Sequence, residues 1–210
     1  MIYWRWFLKI FTLFLIGSIF GCIVETIYAI FKTGSFQIRQ GLIYGPFIPI
    51  YGLGTILFYI ILLITKKPIN VFVISVIAGG VLEFICSFIQ EKAFGSVSWD
   101  YSGTFLNFAG RTNLQYSVYW GFIGLLFLKL FPYVDKLDLL TSDIKWRIII
   151  YILMVFILID TIISCLACSR QYDRQQNIKP QNKLEYLLDT YYHDEFLDKI
   201  YNNKIWVKTD

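Results

Sequence analysis

A single histidine, His193, stands in the 210-residue chain, and it lies in the polar C-terminal stretch. This excludes a histidine-based metal site in the apolar part of the chain, and it removes Ser-His or Cys-His catalysis there. No GxxxxGK[ST] phosphate loop occurs, so the chain cannot by itself drive a cycle with ATP. The four cysteines, Cys22, Cys86, Cys165 and Cys168, fall in or at the edge of apolar runs. They make neither a disulfide framework nor paired CxxC motifs, and they read as small helix-packing residues. Charge is sparse as well. Only 16% of residues are Asp, Glu, Lys or Arg, against 57% apolar and 19% aromatic, which is too apolar for one soluble domain of this length.

What fills the chain instead is a series of apolar runs near the length of a bilayer core, about 20 residues as helix. They fall at Trp6–Phe31, Pro46–Ile64, Ile69–Ile89, Leu114–Phe131 and Trp146–Ala167. The expected fold is therefore an all-α integral membrane protein with about five transmembrane helices. A transmembrane domain, 1–168, precedes a polar amphipathic tail, 169–210. The opening Met1-Ile-Tyr-Trp-Arg-Trp imitates a signal peptide, and Gly21-Cys22 a lipoprotein cleavage site. Bulky Phe20 and the apolar continuation beyond Cys22 argue against cleavage.

Five spans place the termini on opposite sides. The N-terminal side, side A, holds Arg5, Lys9, Lys66, Lys67, Lys136, Lys145 and Arg147; side B holds Lys32, Arg39, Lys92 and Arg111. The positive-inside rule then puts side A in the cytoplasm of a bacterial inner membrane. Counting Arg170, Arg174, Lys179 and Lys183 of the tail removes the bias, so the tight turn Thr65-Lys66-Lys67-Pro68 is the best single witness. The two side-B connections, 32–45 and 92–113, are rich in Gly, aromatics and amides. Trp99-Asp100-Tyr101, Phe105-Leu106-Asn107-Phe108 and Gly110-Arg111-Thr112-Asn113 suit either a re-entrant segment or a loop on the headgroups.

Two helical stripes end in carboxylates: Gly17-xxx-Gly21-xxx-Glu25 and Ser75-xxx-Gly79-xxx-Glu83. Residues four apart share a helix face, and small residues let a neighbouring backbone approach. With Glu25 aligned on Glu83, later features follow in order. Gly34 matches Gly95, Arg39-Gln40-Gly41 matches Gly110-Arg111, and Tyr51-Gly52-Leu53-Gly54 matches Trp120-Gly121-Phe122-Ile123-Gly124. The pattern predicts two repeated helix hairpins, about 6–64 and 69–131, followed by a fifth helix at 146–167. They would be related by an axis along the membrane normal.

A carboxylate facing lipid costs on the order of 3 kcal/mol at mid-membrane, so such residues face protein or a water-filled cavity. Three readings of the polar set stay open. Glu25 and Glu83 pair with Arg39 and Arg111 and pin loops to helices; or the acids line a substrate or ion path; or Glu25, Glu83 and Asp100 work as acid and base at the membrane surface. Asp160, in the fifth span, faces the same cavity or caps a helix contact. Gly45-Pro46 suits a first helical turn, while Pro49 either belongs to that turn or breaks the helix. The tail carries seven basic and seven acidic residues, which argues against nucleic acid or tight anionic-lipid binding. Its apolar residues Leu184, Leu187, Leu188, Tyr191, Leu197 and Ile200 sketch one or two amphipathic helices.

The run Gly21-Cys-Ile-Val-Glu25-Thr-Ile-Tyr and the run Arg39-Gln-Gly-Leu-Ile-Tyr-Gly-Pro-Phe-Ile-Pro-Ile-Tyr-Gly52 resemble a bacterial family described as Putative ABC-transporter permease, type IV (CmpB-like). Glu83-Phe-Ile, Trp99-Asp-Tyr-Ser, Asn107, Gly110-Arg111 and Tyr119-Trp-Gly121 do the same. The resemblance covers about residues 6–132 and extends to the helix with Asp160. Where the family tends to show Asn-Arg-Gly, this chain has Ile38-Arg39-Gln40-Gly41, so a polar partner in that loop is lost. The resemblance implies a transporter or a membrane subunit of a transport system, with no substrate attached. The positions it marks are Glu25, Arg39, Gly45, Pro46, Pro49, Tyr51, Glu83, Trp99, Asp100, Asn107 and Arg111. No cofactor is expected. Besides the bilayer, a homodimer or an unidentified partner subunit is expected, because five helices make a thin wall for a pore.

Overall fold

The computed structural model describes residues 2–134, 136–137 and 142–207, so the last three residues of the tail lie outside the described residues. In chain order the elements are α1 (Ile2–Thr33), α2 (Pro49–Ile64), α3 (Pro68–Phe94), β1 (Ser96–Val97), β2 (Asn107–Phe108), β3 (Thr112–Asn113) and α4 (Leu114–Val134). After them come α5 (Ile144–Gln175), α6 (Lys183–Tyr191), α7 (Asp194–Ile200) and β4 (Ile205–Trp206). Helices α1, α3, α4 and α5 are long and apolar enough to cross a membrane. Helix α2 is equally apolar but has only 16 residues, about 24 Å at 1.5 Å per residue.

Helix α2 starts later than Gly45-Pro46 would place it. Its first residue is Pro49, preceded by Ile48 in an extended conformation with φ −117°. A proline drives the residue before it out of the helical region, so Ile48 cannot join the helix and Pro46 stays in the approach to it. Gly45 makes the turn at φ +78°, a conformation few side chains tolerate. At the other hairpin, Pro68 opens α3, and Gly95, at φ 59°, closes it with its N–H on the Glu91 carbonyl.

The closest packing is between α1 and α2 and between α3 and α4, with α2 leaning on α3 and α5 lying against α1 and α3. Small residues set these approaches. The backbone of Gly17 abuts Thr55 and the Tyr51 carbonyl, and Gly21 lies beneath the Tyr51 ring. In the second hairpin Gly79 lies beneath Trp120, and Gly124 meets Ser75. Leu13, Phe58, Leu62, Val71, Trp120 and Phe131 fill the core between the four helices. Large apolar side chains such as Ile27, Ile77, Phe122, Ile152 and Leu158 remain exposed on the outside, where a bilayer supplies their surroundings.

The chain between α1 and α2 is fastened to α5. Asp160, 2% exposed, accepts the Tyr44 N–H at 3.1 Å and the Ser164 hydroxyl at 3.2 Å, and Ser164 Oγ accepts the Ile43 N–H at 2.9 Å. This acid thus receives one backbone N–H directly and, by holding Ser164, supports the receptor of a second. The tail then folds back over the same end of the bundle. Leu188 and Leu197 pack with Ile43 and Ala167, and β4 pairs antiparallel with β1, Ser96 opposite Trp206. The side chains of Asn202 and Asn203 donate to the carbonyls of Ile38 and Ser98.

Candidate functional site

Glu25 and Glu83 end their stripes at the same level, one on each hairpin. The Tyr51 hydroxyl donates to Glu25 Oε1 at 2.5 Å, and the Thr112 hydroxyl donates to Glu83 Oε2 at 3.0 Å. Trp120 is a second polar neighbour of the Glu83 carboxylate, and the two carboxylates are near enough to feel each other's charge. The rings of Tyr51 and Trp120 lie 6.2 Å apart between centroids and connect the two sides. Glu83 is 7% exposed, whereas Glu25 is half-buried.

The two halves build this arrangement the same way. In each, a glycine one turn before the glutamate admits an aromatic ring from the partner helix: Gly21 under Tyr51, Gly79 under Trp120. That ring then carries the polar group that reaches the acid. Further phenols continue outward. Tyr101 stacks on Tyr116 at 4.6 Å, Tyr116 meets Tyr119 edge-on at 5.5 Å, and Tyr101 feels both carboxylates.

The arginines sit elsewhere. Arg111 Nη2 pairs with Glu91 Oε2 at 2.6 Å, and its guanidinium lies over the rings of Phe84 and Phe88 at 5.8 and 5.4 Å. Arg39 is joined to α1 through its backbone: its N–H donates to Thr26 Oγ1 at 3.1 Å and its carbonyl accepts the Cys22 thiol at 2.9 Å. Its Nη1 is buried without a hydrogen-bond partner. Among the described residues no basic side chain forms an ion pair with Glu25 or Glu83.

Trp99, Asp100 and Asn107 shape the 95–113 connection and do not bond to the glutamates. Trp99 Nε1 donates to the Arg111 carbonyl at 2.8 Å. Asp100 Oδ1 accepts the N–H and hydroxyl of Ser102. Asn107 donates to the carbonyls of Ser102 and Thr104 and accepts the Gly110 N–H. Of the eight candidate residues, Glu25, Tyr51 and Glu83 come together, joined by Thr112 and Trp120. Trp120 is visible in the sequence as the repeat partner of Tyr51. Thr112 has no sequence signal, because its role depends on how the loop returns to α3.

These features define a polytopic, all-α membrane protein with an acidic and aromatic polar centre held between two helix hairpins. The chain belongs to the family Putative ABC-transporter type IV, whose model matches residues 12–165. The family is named for a transporter component, not for an enzyme. Neither a curated protein nor a solved structure matches the chain.

Proposed function

We propose that this chain is the membrane-embedded subunit of a transport system in a bacterial inner membrane, with its N-terminus in the cytoplasm. Glu25 and Glu83 line the seat its cargo or coupling ion occupies. The observation that carries this reading is two internal carboxylates with hydroxyl and aromatic neighbours and, among the described residues, no arginine or lysine in an ion pair with them. Intramembrane acids are costly to place and characteristically mark substrate or ion paths. Carboxylates ringed by aromatic faces favour a cation or a proton over an anion. Arg111, neutralised by Glu91, leaves that preference intact. With no phosphate-binding loop in the chain, an ATP-driven cycle draws on a partner subunit.

Cysteine accessibility in intact cells tests this. In a background with Cys22, Cys86, Cys165 and Cys168 replaced by serine, Thr26→Cys and Ser117→Cys report on the surroundings of Glu25 and Glu83. Ser117 is chosen because its hydroxyl lies 3.4 Å from that of Thr112. Glu195→Cys, on the exposed face of α7, reports on the tail. A membrane-impermeant maleimide applied from outside is expected to label all three. Labelling of Glu195→Cys alone means a dry, paired centre and a scaffold in place of a transporter. Glu195→Cys labelled only after the cells are opened reverses the orientation.

A further inference from the structure

The connection between α3 and α4 lies at membrane depth. Helix α3 has 27 residues, about 40 Å of helix, against a hydrocarbon core of about 30 Å. Its side-A end is fixed at the headgroups by the Lys66-Lys67 turn, with Lys66 over the Phe131 ring at 4.6 Å. Counted from Pro68, a core of about 30 Å ends near residue 88. The returning chain touches α3 on the inner side of that boundary. Thr112 bonds to Glu83, Phe108 and Phe84 stand 5.4 Å apart between ring centroids, and Ser117 meets Gly80. Helix α4, with 21 residues, about 31 Å long, therefore begins at the level of Glu83 and not at the end of α3.

Its composition and bonding fit that depth. From Gly95 to Gly110 the only charged residue is Asp100. Phe105, Leu106 and Phe108 are 83%, 59% and 67% exposed among the described residues. Leu106 and Ala109 are held at φ 48° and 52°, a left-handed conformation that non-glycine residues rarely adopt. Non-helical backbone survives in a bilayer only when its polar groups are satisfied, and here many of them are bonded internally. β2 pairs with β3, Tyr101 N–H donates to Gly110, Arg111 N–H to Phe108 and Leu114 N–H to Leu106. The Asn107 and Asn113 side chains are bonded within the hairpin too.

We infer that residues 99–113 form a re-entrant hairpin inserted into the side-B leaflet, with Phe105, Leu106 and Phe108 against lipid acyl chains. The exposed apolar surface of Leu114 and Tyr119 on α4 continues this patch. A cleft of about 310 Å³ between Phe105 and α4, lined also by Thr104, Leu114, Val118 and Tyr119, opens on the same surface. Arg111, paired with Glu91 and lying on Phe84 and Phe88, marks the upper edge of the insertion.

Fluorescence quenching in reconstituted vesicles tests the insertion. The Cys-free full-length protein receives Phe105→Cys, Leu106→Cys or Glu195→Cys and is labelled with bimane. Phosphatidylcholine brominated high on its acyl chains quenches from within the leaflet, and aqueous iodide quenches from water. Phe105 and Leu106 are surface side chains, so the substitutions leave the bundle intact. The expected result is strong lipid quenching and iodide protection at Phe105→Cys and Leu106→Cys, with the reverse at Glu195→Cys. Iodide quenching at all three positions, with brominated lipid without effect, overturns the insertion and makes this an aqueous loop. Neither outcome depends on whether the chain transports anything.

Discussion

Gly79→Ala is expected to cost the protein several kcal/mol, and Gly79→Leu to prevent the second hairpin from closing. An added Cβ at Gly79 would lie 2.2 Å from Trp120 Cγ and 2.4 Å from Trp120 Cβ. Those atoms are the root of a buried side chain and cannot swing away, so α3 and α4 would have to part. Overpacking of this kind costs about 1–3 kcal/mol, and more where the clash is with a fixed group. Displacing Trp120 also removes a polar neighbour from Glu83 and loosens the ring contact with Phe58 at 5.8 Å. Gly21→Ala repeats the experiment in the first hairpin, where the added atom would meet Tyr51 Cγ at 2.3 Å. Gly103→Ala is the control, since nothing lies within 4 Å of its Cβ position. Thermal midpoints of the detergent-solubilised variants check all three. If Gly79→Ala melts together with Gly103→Ala, the glycine stripe is not the helix interface.

The stripes show how much of this protein is readable before its structure. Hydropathy and length mark the apolar helices, because the bilayer imposes both. The spacing of Gly17, Gly21 and Glu25, and of Ser75, Gly79 and Glu83, picks out the faces that come together, since small-residue spacing is a local property of one helix. Partners across the fold are another matter. Arg111 pairs with Glu91 on α3, and nothing local to either residue announces it, because the pairing follows from the loop folding back along α3. Thr112 reaches Glu83 for the same reason. Asp160 reads equally well as a cavity acid or a helix cap; it serves the backbone N–H of Tyr44, a group no sequence pattern reveals. The start of α2 is ambiguous in the sequence, because Pro46 and Pro49 both satisfy the rule for a first helical turn. Only the extended Ile48 between them decides.

The other large effect is expected in the tail. Arg170, 2% exposed, donates from Nε and Nη2 to the two oxygens of Asp189 at 3.0 Å each, and Arg174 reaches Asp189 Oδ1 at 2.5 Å and Asp194 Oδ1 at 2.6 Å. Asp189→Ala strips a buried arginine of its main partner, and breaking such a pair costs about 3–5 kcal/mol. The helical tail packs through few buried apolar residues, chiefly Leu188 and Leu197, so a loss of that size is expected to release α6 and α7 while the membrane helices stay folded. Acid should act on the same group. Burial alone would raise the Asp189 carboxyl, but the hydrogen bonds and charges of Arg170 and Arg174 outweigh it and hold it below the usual carboxylate range. Its contribution is therefore fully present above the unfolded value of about 4 and is lost as pH falls below it. Limited proteolysis of the purified protein reads both predictions. Asp189→Ala should be cut in the tail at neutral pH, and the parent only below about pH 4, tested with an acid-active protease. A parent tail that loosens as pH rises through neutrality, or an Asp189→Ala tail as resistant as the parent, would show that α6 and α7 are held by their apolar faces and not by the arginines.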